Sequence, residues 1–205
     1  HVLREQGEFA RGLEYARSAL AANRSPAAER ELATAIMAAG ADYQEAHTLL
    51  TSLVKQFPVD QGLWALYATA LRYTNNAEAY RALVDYDKMI QVREIASQQD
   101  FDNLDGFIDF IRQSLLRLHT TKQHPVEQSM LHGTQTLDDL FSRRDPAIQQ
   151  LRVALGEQLS SVIAGLPVQD DHPLCGRNTG HFAFSDSWSV RLWRDGFHKN
   201  HFHSQ

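Results

Sequence analysis

The first third of the chain repeats itself, and a helical repeat constrains a fold more tightly than composition does, because each copy can only bury its apolar face against the next. The stretch GEFARGLEYARSAL, starting at Gly7, returns as ADYQEAHTLLTSLV, with Phe9 matched to Tyr43, Gly12 to Ala46 and Leu20 to Val54, each 34 positions on. Between them, AERELATAIMAAG is echoed by LWALYATALRYTN, with Leu32 against Tyr67, Ala33 against Ala68 and Ile36 against Leu71, each 35 positions on. The two kinds of segment alternate as the two helices of a hairpin. Small residues at Gly12, Ala33, Ala46 and Ala68 let the helix axes approach, and Phe9, Tyr43, Leu63 and Tyr67 are expected to fill the gaps between them. Pro58 follows Phe57 and ends one hairpin, since its ring disfavours helical geometry in the residue before it.

The period resembles that of the tetratricopeptide repeat, whose motif residues are partly present; a generic antiparallel helix array is the plainer reading of the same pattern. Stacked hairpins of this kind form a curved solenoid with a concave face that can take a protein or peptide partner. About two and a half repeats are visible, so packing against a following domain is as good a use of that face as ligand capture.

After Ala79 the repeat fades. DKMIQVREI (87 to 95) carries β-branched character and is expected to be a strand. NLDGFIDFIRQSLLRLH then places Leu104, Phe107, Ile108, Ile111, Leu115 and Leu118 on one helical stripe. A second helix begins with Asp145 as its cap and Pro146 in its first turn, running through Leu151, Leu155, Leu159 and Val162 to Gly165. Both stripes read as helix faces that cover a sheet. HPVEQSMLHGTQTLDDLF between them reads as loop until Leu137. From Asp170 the character turns to β: Trp188, Val190 and Leu192 alternate with Ser189, Arg191 and Trp193, and Asp195-Gly196 signals a hairpin turn into a further strand. The class expected is therefore α+β, helical hairpins first and a β-rich unit after them.

The net charge of -5 gives no basic face for a nucleic acid, which excludes that partner class. Cys175 is the only cysteine, so no intrachain disulfide and no four-cysteine zinc site can form, which fits the cytoplasm. No run of about 18 apolar residues and no signal pattern is present, so no membrane role is expected. A chain that begins at His1 and stops at Gln205 reads as a piece of a longer protein.

The last residues hold the candidate chemistry. His201 and His203 fall on one face if the segment is a strand, where two imidazoles can reach one metal ion. His-x-His alone also fits surface or hydrogen-bonded histidines. His198 belongs to the turn region, His181 opens an earlier strand, and His132 lies in the polar loop, where a substrate-side or capping role is open.

HPVEQSMLHGTQT, followed by SWSVRLWRDGFHKNHFH, resembles the 2-oxoglutarate- and Fe(II)-dependent oxygenases that bacteria fuse behind tetratricopeptide repeats, over roughly residues 85 to 205. The resemblance implies tetratricopeptide-like repeats over 1–84 and, over 85–205, the first part of a double-stranded β-helix, or jelly-roll, with covering helices. It implies an oxidoreductase, a dioxygenase that binds Fe(II) and uses 2-oxoglutarate as co-substrate to hydroxylate an unactivated C–H. His201 is the better metal ligand and His203 the second. The wider superfamily has His-x-Asp or His-x-Glu, so His203 either takes the carboxylate's place or leaves the iron with two histidines and a water. The distal ligand and the co-substrate anchor are expected beyond Gln205, so residues 1–205 alone should be inactive. Two other readings stand beside it: a repeat adaptor that binds a partner peptide without catalysis, and a zinc-binding module built on the terminal histidines.

Overall fold

The computed structural model describes residues 2–95, 101–120, 129–201 and 203. They form two compact units. One comprises the chain up to Ile90 with Asp170–Gly176 and His203; the other comprises Gln91–Gln169 with Arg177–His201.

The first unit is helical: a short α1 (Val2–Glu5), then α2 (Phe9–Ala22), α3 (Pro26–Ala39), α4 (Tyr43–Gln56), α5 (Gln61–Tyr73), α6 (Ala77–Leu83) and a one-turn α7 (Tyr86–Met89). The helices of the first hairpin begin at Phe9 and Pro26, those of the second at Tyr43 and Gln61, so the sequence period is the helix period. Each start is fixed locally. The side chains of Ser25, Asp42, Asp60 and Asn76 accept hydrogen bonds from backbone N–H groups of the first turns of α3, α4, α5 and α6. Each helix from α2 to α6 packs on the next, and one apolar core runs through α2 to α5, with Leu32, Ala33, Ile36, Ala46, Leu50 and Ala70 all but inaccessible. Ala33 and Ala46 are the close-approach residues their size predicts. Burying a leucine such as Leu50 stabilises the fold by roughly 1.5–3 kcal/mol. Phe9, expected to fill a gap, is 43% exposed, whereas Tyr43 does fill one, stacked 4.4 Å from Tyr73. Arg17–Glu45 and Arg30–Asp60 join neighbouring hairpins at the surface.

The strand expected over 87–95 is absent. Asp85 caps α7 by accepting from the Lys88 N–H and pairs with the Lys88 ammonium at 2.8 Å, so Tyr86–Met89 is helical, and residues 90–95 have no regular structure. The β-branched Val92 is 96% exposed, so no packing favours a pleated conformation there.

In the second unit, α8 (Leu104–Leu118) is capped by Asn103, and α9 (Pro146–Gly165) by Asp145 with Pro146 in the first turn. Their apolar stripes face each other rather than covering a broad sheet. Phe107 and Ile111 of α8 meet Ala154 of α9, and a second cluster gathers Leu140, Phe141 and Ile148 with Phe184. The sheet has two antiparallel strands among the described residues, β1 (Met130–Gln135) and β2 (Val190–His198). β1 lies inside the segment expected to be loop. Its register with β2 runs from Gln135↔Val190 to Met130↔His198 and breaks between Leu131 and Gly133, opposite Trp193–Gly196. His132 and Asp195 have positive φ at that break. Asp195-Gly196 is therefore a bulge within β2, not the hairpin turn its sequence signals. A methyl group on Gly133 would lie 2.6 Å from the Arg191 carbonyl oxygen, and one on Gly196 would collide with the His132 carbonyl, so the strands meet closely only where both are glycine. Among the described residues no helix is long and apolar enough to cross a membrane.

Candidate functional site

The terminal histidines lie beyond the sheet. β2 ends at His198, so His201 and His203 are not on a strand, and the shared strand face expected of them is not formed. His198, expected at the turn, closes β2 opposite Met130, and Ser129 Oγ lies 3.0 Å from its Nδ1. The Lys199 N–H donates to the Ser129 carbonyl, which fixes the exit of the chain. His201 is exposed, its ring 5.7 Å from that of His198 and its Nδ1 2.8 Å from the Lys199 carbonyl oxygen. A carbonyl can only accept, so Nδ1 carries a proton there. His203, also exposed, belongs to the helical unit and lines a cavity of about 240 Å³ with Trp64, Leu83, Val84 and Leu174. His181 and His132 are exposed, and neither joins a cluster of donors.

Two histidines that the sequence does not single out are better placed inside the fold. In the helical unit, His172 is buried: its Nδ1 accepts from the Leu174 and Cys175 N–H groups and its Nε2 donates to the Leu83 carbonyl at 3.0 Å. This is a fully satisfied neutral ring that holds the segment around Cys175. His119, the residue that caps the C-terminus of α8, lies in the second unit between two hydroxyls. Its Nδ1 is 2.9 Å from Thr134 Oγ1 on β1, and its Nε2 is 3.1 Å from Ser189 Oγ just ahead of β2. Burial, and then the positive charge of Arg191, hold its pKa below the usual imidazole value, which favours a ring that donates to one hydroxyl and accepts from the other.

The serines of SWSVRL are structural parts of the same region. The Ser189 N–H donates to Thr136 Oγ1 at 2.9 Å, and its carbonyl accepts from the Thr136 N–H, extending the strand pairing past β1. Ser187 Oγ accepts from the Phe141 N–H and hydrogen-bonds the Asp139 carboxylate. Arg191 and Trp193, two apart on β2, stack with the guanidinium carbon 4.9 Å from the ring centre. Beside them, α8, α9 and the start of β2 enclose a groove of about 420 Å³ with His119, Ser189 and Arg191 on its polar side.

Imidazole suits Fe(II), but two imidazoles are one ligand short of a facial triad. Among the described residues no three His, Cys, Asp or Glu side chains form a group able to hold a metal ion. The donor type therefore fits at His201, and the donor count does not. No family model, no curated protein and no solved structure matches this chain.

Proposed function

We propose that the chain belongs to a 2-oxoglutarate- and Fe(II)-dependent oxygenase of jelly-roll type, in which helical hairpins of tetratricopeptide kind form a region for a protein or peptide partner. The string SWSVRLWRDGFHKNHFH motivates the reading. The observation that supports it is the ring of His201, whose Nδ1 is turned onto the Lys199 carbonyl, the kind of outer hydrogen bond that orients a ligating imidazole. His203 is the weaker second ligand, since its side chain lines an apolar cavity of the helical unit. The third ligand and the co-substrate anchor then come from residues other than those described.

The test is an anaerobic Fe(II) titration of a chain carrying these residues. His201→Ala should weaken Fe(II) binding by at least about tenfold, the scale on which even outer-shell partners of a ligand matter. His203→Ala should have the smaller effect, His203→Asp should retain binding, and His198→Ala should change little. Succinate should not form from residues 1–205 with Fe(II), ascorbate and 2-oxoglutarate. Equal affinity in His201→Ala and the parent chain would remove the iron reading.

One observation favours a second reading, the repeat adaptor without catalysis. Trp64 is held at the rim of the cavity by donating Nε1–H to the Pro58 carbonyl at 2.9 Å, and it meets Tyr67 edge to face. A fixed aromatic beside an apolar hollow is a feature that anchors peptide side chains. An adaptor would lose its partner on Trp64→Ala and keep it on His201→Ala.

A further inference from the structure

We infer that the groove between α8, α9 and the start of β2 is a binding site for an amphipathic carboxylate, a small acid with an alkyl or aryl body. Its volume, about 420 Å³, lies within the range of small-molecule sites. One wall is apolar and continuous: Ile108, Ile111 and Leu115 come from α8, Leu151 from α9 and Val190 from β2. Ile108 is 42% exposed and Leu116 37% exposed, so the edge of the α8 stripe is left uncovered, while Ile111 and Leu115 join the wall to the core that holds Phe107.

The polar end selects the ligand's charge. Two arginines line the groove, and they differ. Arg112 is neutralised by Asp109 one turn earlier on α8, at 2.5 Å. Arg191 has no carboxylate partner among the described residues, although the chain as a whole carries a net charge of -5. Its guanidinium carbon lies 4.9 Å from the centre of the Trp193 ring, a contact that restrains the group without using its N–H donors. A planar, oriented fork of donors matches a carboxylate, which it can hold with two parallel hydrogen bonds. Ser189 and His119 also line the groove, but Ser189 Oγ is engaged by His119 Nε2 and His119 Nδ1 by Thr134 Oγ1, so the unclaimed donors there are those of Arg191. A neutral apolar molecule would cover the wall and leave the cation unpaired. A small hydrophilic anion would pair the cation and leave the wall wet. Only a molecule with both parts satisfies both.

This inference stands apart from the iron reading, because the groove includes neither His201 nor His203 and the experiment contains no metal. Octanoate, octan-1-ol and acetate are titrated separately into the protein by calorimetry, and the His119 ring is followed by NMR. Octanoate should saturate a single site, with octanol and acetate each weaker by at least about tenfold, or about 1.4 kcal/mol. Bound octanoate should raise the His119 pKa, because its carboxylate offsets the Arg191 charge that now lowers it. Arg191→Gln should bring octanoate down to the affinity of octanol. Ile108→Glu, a change at an exposed position, should exclude octanoate by like charge and loss of the wall while the circular dichroism spectrum is unchanged. Equal binding of octanoate and octanol, unsaturable uptake of several molecules, or full affinity in Arg191→Gln would each overturn the site.

Discussion

The helical unit and the unit that carries the sheet follow different rules. In the first, the helix starts are set within one turn, by Ser25, Asp42, Asp60 and Asn76, and each helix rests on the next one in sequence. In the second, the decisive contacts join residues roughly sixty apart, as β1 pairs with β2, Thr136 with Ser189 and Asp139 with Ser187. The first therefore tolerates local error, since one poor contact leaves its neighbours in place. The second depends on a few long-range fits, two of which require glycine.

That contrast is tested most severely in the smaller cores. Phe107 is fully buried in a cluster whose other buried members are only Ile111 and Ala154. Phe107→Ala should cost about 3–5 kcal/mol. Amide exchange should show β1 and β2 losing protection while α3 and α4 keep theirs; uniform loss would mean that the two units do not obey separate rules. Gly133→Ala is the next largest, about 1–3 kcal/mol for forcing a methyl against the Arg191 carbonyl. Its mark should be chemical-shift change spreading along both strands and absent from α8, and an unperturbed spectrum would mean the close approach is not needed. In the helical unit, Asp60→Ala removes the α5 cap, bonded to Leu63 N–H at 2.9 Å, and the surface pair with Arg30. The cost should be about 1 kcal/mol, most of it from the cap. Arg30→Ala, which removes the pair alone, should be milder, and a denaturation midpoint shift equal to that of Asp60→Ala would reverse this ranking.

The same division governs what the sequence could disclose. Helix starts at Phe9 and Tyr43 are legible because the period and the apolar spacing both lie within a short window. The stretch at 87–95 leaves its β-branched Ile90 and Val92 exposed, and a local cap at Asp85 makes its first residues helical. β1 escapes notice because the positive φ at His132 and the glycine beside it break the alternation that would mark a strand. Asp195-Gly196 has the chemistry of a turn, yet β1 pairs on both sides of it and makes it a bulge. Of the candidate residues, His201 and His203 are suggested by a strand spacing that β2, ending at His198, does not realise. His119 is suggested by no spacing, because its meaning lies in hydroxyls 15 and 70 positions away. Arg191 and Trp193 can be seen to alternate on a strand, but not to stack beside an apolar groove.

The mildest expected effect is also the one that separates the units by chemistry rather than by packing. His119 has its pKa lowered from 6.5, first by burial and then by Arg191, whereas an unfolded chain offers it neither. Between the folded and unfolded values the unfolded state binds more protons, so stability rises with pH through that window. The stabilisation is fully present above pH 6.5 and falls away as the pH drops toward the folded value. Denaturation of the protein at a series of pH values, read by the exchange of β1 and β2 amides, should show this slope. His119→Gln offers groups that can bond both hydroxyls and has no proton to bind, so it should flatten the slope while the strands stay paired. Arg191→Gln should narrow the window from its lower edge, because burial still depresses the ring but the cation that adds to it is gone. A slope unchanged in both variants would place the acid sensitivity of the second unit elsewhere and leave His119 as a purely geometric tie between α8 and the two strands.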